Sequence, residues 1–136
     1  MFALTHEPID VAAVRAAVDD PAFGAVLVFE GVARDNFEGK QVTHLSYEAY
    51  TDMAVPVMEE IAREMTQRWS CKVAMVHRLG EVPITEASVV IVVGTPHRGA
   101  CYEASRYAID ELKKRVPVWK KENYEHGSSW KANAST

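Results

Sequence analysis

The stretch from Ala87 to Gly94 is the feature of this sequence that most constrains its fold. It reads ASVVIVVG, and only Ser88 interrupts an apolar run that is far too short to span a bilayer. Such a run predicts a strand at the centre of a sheet, where both faces are covered. A chain of 136 residues can supply that cover, because a chain this long hides roughly two thirds of its unfolded surface on folding. We therefore expect one domain over residues 1–136.

Periodicity predicts the elements around this strand. Alternating or β-rich segments predict further strands over 2–6, 24–33, 42–50, 72–79 and 118–123. The second and third of these are expected to form an antiparallel pair. Helices are predicted over 10–18, 51–69 and 99–115. Residues 80–86 are expected to form a loop and residues 126–136 a loose tail.

Both long helices carry an apolar stripe that predicts core packing. In the first, the stripe consists of Met53, Ala54, Val57, Met58, Ile61, Met65 and Trp69. In the second, it consists of Cys101, Ala104, Ala108 and Leu112, whose small side chains predict close approach to a sheet. The expected fold class is therefore α+β, with a mainly antiparallel sheet and two long helices packed on one face.

Charge is distributed unevenly along the chain. The formal net charge is −4, which argues against a general nucleic-acid binder. Residues 97–121 contain seven Lys or Arg and three Asp or Glu, hence +4, and the remainder of the chain is −8. A concentrated basic segment indicates either a local anionic ligand or a solvated helix face. The two cysteines form no disulfide framework and the first ten residues resemble no signal peptide, so we expect a soluble, cytoplasmic protein.

The segment Gly94–Ala100, GTPHRGA, lies between the buried strand and a helix N-terminus. Free backbone amides and the helix dipole favour an anion there, and His97 and Arg98 add two donors. The alternative is an ordinary helix start with an exposed arginine and a half-buried histidine.

Two lysines follow at the other end of that helix. Lys113 lies at the edge of the buried stripe, and the turn at Pro117 can return Lys120 alongside it. Crowding by Lys114, Arg115 and Lys121 is expected to lower an amine pKa, so that one lysine holds charge while the other moves protons. The alternative is a solvated basic helix end. Cys71, His77, His97 and Cys101 lack zinc-site spacing, so we expect neither a metal nor a cofactor.

Six short motifs, taken together in their order and spacing, resemble a known family. They are GVARDN at 31–36, LSYEAY at 45–50, HRLGEV at 77–82, HRGA at 97–100, DELK at 110–113 and PVWKKE at 117–122. This series is similar to the large, catalytic subunit of molybdopterin synthase, the MoaE family, over about residue 3 to Trp130.

The resemblance implies an α/β hammerhead fold and a homodimer. It further implies that each end of the dimer binds a small ubiquitin-like sulfur-carrier subunit ending in Gly-Gly, giving a heterotetramer. Sulfur from the carrier's C-terminal thiocarboxylate would pass to cyclic pyranopterin monophosphate (precursor Z), which opens its cyclic phosphate and forms the dithiolene of molybdopterin.

The resemblance also assigns roles residue by residue. It implies that Lys113 and Lys120 are catalytic and also touch the substrate. The further substrate-binding residues that it implies are Val32, Ala33, Arg34, His97, Arg98, Lys121 and Glu122. In the family the pocket is completed across the dimer interface, so His97 and Arg98 are expected to serve the neighbouring chain's lysines. The family often carries an arginine after its tail tryptophan, whereas only KANAST follows Trp130 here.

Two other classes of function compete with a sulfurtransferase. One is a non-catalytic partner-binding module of the same fold, which the presence of both lysines disfavours. The other is a phosphoesterase that uses His97, for which the sequence offers no metal cluster or carboxylate pair.

Overall fold

The computed structural model describes residues 1–124 and 127–132. Its helices are α1 (Val11–Ala16), α2 (Thr51–Arg68) and α3 (Arg98–Arg115). Its strands are β1 (Phe2–Thr5), β2 (Ala25–Val32), β3 (Asn36–Phe37), β4 (Lys40–Ala49), β5 (Lys72–Arg78), β6 (Gly80–Pro83), β7 (Ala87–Thr95), β8 (Val118–Tyr124) and β9 (Ser128–Ala132).

The apolar strand β7 lies inside a four-stranded sheet of order β1-β5-β7-β2. It pairs antiparallel with β5 on one edge and with β2 on the other, and β1 joins β5 in parallel. Each β7 residue from Ser88 to Thr95 is buried. The prediction of a central strand is therefore confirmed.

Helices cover both faces of this sheet, because successive side chains of a strand point to opposite faces. Val89, Ile91 and Val93 face the main core, which α2 and α3 share. Val90 and Val92 face a smaller core cluster under α1. The two long helices thus pack on one face, as the sequence predicts.

The predicted stripe of α3 is confirmed, since Cys101, Ala104, Ala108 and Leu112 are fully buried. The helix approaches β7 so closely that the Cys101 thiol donates a hydrogen bond of 3.3 Å to the carbonyl of Val93.

The stripe predicted for α2 is wrong at one end. Tyr50 is the N-cap, the helix begins at Thr51, and Met53 is 47% exposed.

None of the helices in the described ranges is long and apolar enough to cross a membrane.

The second sheet corrects the predicted pairing of β2 with β4. Its order is β3-β4-β8-β9, and β6 also pairs with β4. β2 instead pairs with β7 along its length. A hairpin with Glu38 and Gly39 at positive φ joins β3 to β4, so the chain turns back on β3 rather than on β2.

Two further segments differ from expectation. Gly80–Pro83, expected in a loop, forms β6 and pairs with His44–Tyr47; a positive φ of 80° at Gly80 turns the chain directly out of β5. Within the expected loose tail, Ser128–Ala132 forms β9 and pairs with Trp119–Asn123. The tail residues 126 and 133–136 lie outside the described residues.

Candidate functional site

A cavity of about 380 Å³ opens where the second sheet meets β2 and the C-terminal end of α3. It is lined by Phe29, Gly31, Val32, Arg34, Asn36, Leu45, Tyr47, Ser88, Ile109, Asp110, Lys113, Lys120 and Glu122. Six elements contribute to the lining, β2, β3, β4, β7, α3 and β8. The cavity is therefore a product of packing between parts of the chain that are far apart in sequence.

Two lysines reach this cavity from different elements. Lys113 lies in the last turn of α3, one position after the fully buried Leu112. Lys120 lies on β8, where Val118, Lys120 and Glu122 are buried while Trp119 is exposed. Only 2% of Lys120 is exposed, which is unusual for an amine. The turn at Pro117 brings the two lysines together, as the sequence predicts.

Burial lowers the pKa of both amines. The pKa of Lys113 falls to about 8, first because the amine is buried and second because Lys120 is positively charged. Burial also lowers the pKa of Lys120, Glu122 acts in the opposite direction, and Arg34 and Lys131 lower it further. With a pKa of about 8, Lys113 can lose and regain a proton near neutral pH.

The cause of this shift differs from the expected one. Lys114, Arg115 and Lys121 were expected to crowd the amines, but each contacts other groups. Lys114 pairs with Glu111 and Arg115 with three glutamates on α2 and α3. The Lys121 ammonium lies 5.7 Å from the Trp130 ring centroid. Desolvation, rather than the run of basic residues in the sequence, dominates.

Glu122 brings a buried carboxylate to the same cavity. It is 3% exposed, and its Oε1 accepts a hydrogen bond of 3.4 Å from the Tyr124 hydroxyl. The ammonium of Lys131 lies 3.9 Å from the same carboxylate oxygen. The carboxylate thus places a negative charge beside Lys120.

Tyr47 and Ser88 also line the cavity, and His77 packs against Tyr47. The buried Tyr47 ring meets the His77 ring edge-on, with centroids 5.0 Å apart, and burial raises the pKa of its hydroxyl. The Ser88 hydroxyl donates to the carbonyl of Gly31 at 3.1 Å.

His77 is fully buried and neutral. Its Nδ1 lies 2.9 Å from the carbonyl of Arg78, and because a carbonyl only accepts, Nδ1 carries the proton. Burial, assisted by the charge of Lys113, lowers the pKa of His77 to about 4.

The predicted residues that follow β2 lie at the rim. Val32 and Arg34 line the cavity and are exposed. Ala33 is buried, and its backbone is engaged by the loop before β7. Its N–H donates to the carbonyl of Glu86 at 3.0 Å, and its carbonyl accepts from Thr85 at 2.9 Å.

His97 and Arg98 lie at the opposite end of α3, where both are exposed. His97 is the N-cap residue and Arg98 the first residue of the helix. Fifteen helical positions separate Arg98 from Lys113, which corresponds to about 22 Å at a rise of 1.5 Å per residue. The chain therefore brings together Arg34, Lys113, Lys120 and Glu122, but not His97, Arg98 or Lys121.

Several lining residues were not predicted. Ser88 had a signal, since it is the single polar residue in the apolar run that forms β7. Tyr47, Asn36 and Asp110 had none, because their position depends on where the two sheets meet. Within residues 1–124 and 127–132, no group of three or more His, Cys, Asp or Glu side chains could hold a metal ion.

The arrangement suits an anionic substrate. Three cations line the cavity, and one of them, Lys113, can exchange a proton near pH 7. The exposed helix start at His97 offers a second anion-binding position on the surface.

Comparison with known proteins identifies the family. The family model described as MoaE protein matches residues 4–115. The chain is 53% identical over 132 residues to the molybdopterin synthase catalytic subunit of Taeniopygia guttata, which covers 96% of this chain and 85% of the relative.

Two solved structures share the fold. The molybdopterin synthase from Staphylococcus aureus matches with a TM-score of 0.93 and 38% identity over 96% of both chains. A complex of subunits 1 and 2 of the molybdopterin-converting factor from Helicobacter pylori contains a chain with a TM-score of 0.76 and 21% identity, covering 93% of this chain and 87% of that one. The expected fold class is thereby confirmed, and the chain belongs to the MoaE family.

Proposed function

We propose that this chain is the catalytic subunit of a molybdopterin synthase. It transfers sulfur from the C-terminal thiocarboxylate of a small ubiquitin-like carrier subunit to cyclic pyranopterin monophosphate, and the product is molybdopterin. The observation that carries the proposal is the cavity of a MoaE-family chain in which the half-buried Lys113 and the buried Lys120 converge.

The charges of the cavity match both reactants. A cyclic phosphate and a thiocarboxylate are anions, and the cavity lining supplies three cations, Arg34, Lys113 and Lys120. Phe29, Leu45 and Ile109 supply apolar surface for a flat heterocycle.

The two lysines perform the proton transfers. The pKa of about 8 at Lys113 leaves roughly a tenth of that amine neutral at pH 7. The neutral form accepts a proton, and the charged form binds developing negative charge on the substrate or the departing carrier. Lys120, of which only 2% is exposed, is assigned to proton transfer.

The complete enzyme requires more than one chain. His97 and Arg98 lie too far along α3 to reach the cavity of their own chain. In a homodimer they can contribute to the cavity of the partner, and a carrier at each end gives a heterotetramer. Both cysteines are free thiols, which suits the reducing cytoplasm as the compartment.

A single-turnover assay tests the proposal. The purified chain is mixed with thiocarboxylated carrier and cyclic pyranopterin monophosphate, and the dithiolene product is measured. Carrier that ends in an ordinary carboxylate serves as the control and should give no product. Binding of carrier without turnover would instead identify a non-catalytic binding module.

A further inference from the structure

We propose that Lys131, which β9 places beside the cavity-lining residues Lys120 and Glu122, is a positioning residue that anchors the buried Glu122 carboxylate and the Phe37 ring next to Lys120. The inference deepens the proposed function and rests on it. The family resemblance assigns no role to Lys131.

Strand register places Lys131 next to Lys120. The two residues are direct partners in the antiparallel pair of β8 and β9, so their side chains project from the same face of the sheet. Like charges at such positions repel each other and are destabilising. Their juxtaposition therefore calls for a compensating group.

Glu122 and Phe37 provide that compensation. The Lys131 ammonium lies 3.9 Å from Glu122 Oε1 and 4.3 Å from the centroid of the Phe37 ring. Lys120 lies over the same ring at 5.7 Å. Two ammonium groups thus share one aromatic ring, and one of them is paired with the carboxylate beside the other.

Lys131 influences Lys120 in two ways that have the same sign. Its charge directly disfavours the charged form of Lys120, and its pairing with Glu122 weakens the opposite pull of that carboxylate. Loss of the Lys131 charge should therefore raise the pKa of Lys120, so that a smaller fraction of this amine is neutral and able to accept a proton at neutral pH.

The other groups that face Lys120 define the background for this effect. Arg34 follows β2, Lys113 comes from α3, and the buried Tyr47 hydroxyl comes from β4, directly opposite Lys120 in register. Lys131→Gln leaves Arg34 and Lys113 unsubstituted. The predicted change in the pKa of Lys120 therefore reports the contribution of Lys131.

The test compares pH–rate profiles of single-turnover sulfur transfer. In Lys131→Gln the rise of the rate with pH should move upward by about one unit, and the rate at pH 7 should fall about tenfold. Lys131→Arg retains the charge and should stay within about twofold of the parent chain. Carrier binding should be unchanged in both.

Lys72→Gln is the matched control. Lys72 also makes an ion pair, at 3.1 Å from Asp20, and lies 5.9 Å from the Phe23 ring, but it belongs to β5 in the other sheet. The pH–rate profile of Lys72→Gln should coincide with that of the parent chain. A Lys131→Gln profile that coincides with the parent, or a rate that falls equally at every pH together with the melting temperature, overturns the inference.

A second readout does not depend on turnover. An NMR titration of isotope-labelled lysine should show a higher pKa for Lys120 in Lys131→Gln than in the parent chain. If the parent chain gives no product, the proposed function fails, while this titration still decides whether Lys131 acts on Lys120. An unchanged Lys120 titration refutes the inference.

Discussion

The two ends of α3 present cations in opposite ways. At its C-terminal end, Lys113 and Lys120 are enclosed by two sheets, and burial shifts the pKa of both amines. At its N-terminal end, His97 and Arg98 are exposed at a single strand-to-helix junction. The enclosed end has the properties of a site for proton transfer, and the exposed end those of a site for capturing an anion. The proposed function therefore assigns two different parts of the same chemistry to the two ends of α3, about 22 Å apart.

Replacement of Lys120 should give the largest effect and tests the enclosed end. If Lys120 moves a proton, both Lys120→Ala and Lys120→Arg should reduce single-turnover sulfur transfer by roughly 10²–10⁴-fold, because arginine retains charge but cannot lose its proton. Carrier binding, measured in parallel, should persist. Near-normal turnover in Lys120→Arg would leave Lys120 with a purely electrostatic role.

Replacement of Arg98 tests the exposed end. Arg98→Ala removes a charge-assisted contact and should weaken binding of the cyclic phosphate by about ten- to a hundredfold. Because Arg98 is exposed at a helix start, the melting temperature should hardly change. Lys114→Ala, an exposed cation in the last turn of the same helix, is the control. Unaltered substrate affinity in purified Arg98→Ala would remove Arg98 from the site.

Mixed dimers test whether the two ends meet across an interface. Lys120→Ala and Arg98→Ala chains are each inactive or weak alone. After random exchange, half of the dimers contain one chain of each kind, and one of their two cavities has both Lys120 and Arg98 intact. Activity should therefore recover to about a quarter of the parent value. Activity does not recover if Arg98 serves the cavity of its own chain.

The sequence predicts the local parts of this comparison well. The apolar run of β7 and the small-residue stripe of α3 are each continuous signals within one element. The position of His97 and Arg98 at the start of α3 could be predicted because a strand-to-helix junction is visible in the sequence. The approach of Lys120 to Lys113 could also be predicted, since a short turn at Pro117 connects their elements.

The enclosed part was harder to predict because it depends on pairing between distant segments. β4 was expected beside β2, its neighbour in sequence, but it pairs with β8, more than 70 residues later. Tyr47 and Glu122 enter the cavity only through that pairing. Lys131 was missed because the polar sequence SSWKA gives little strand signal, and β9 forms only by pairing with β8.

The burial of Lys113 at the C-terminal end of α3 also affects the stability of the fold. Burial holds the pKa of Lys113 near 8, below its ordinary value of 10.5, so the unfolded chain binds this proton more tightly. Below pH 8 the amine is charged in both the folded and the unfolded chain. Its burial then reduces the free energy of unfolding by the full amount. The penalty diminishes as the pH rises from 8 towards 10.5.

Lys113→Met removes that penalty and keeps most of the side-chain volume. At pH 7 its free energy of unfolding should exceed that of the parent by about 1–2 kcal/mol, less than the whole shift implies because the amine is partly exposed. The advantage should shrink between pH 8 and 10, while sulfur transfer is lost. Denaturant unfolding at several pH values measures this, with the exposed Lys114→Met as the control. A Lys113→Met chain that is less stable at pH 7 would show that Lys113 supports the fold, and would remove the contrast in stability between the two ends of α3.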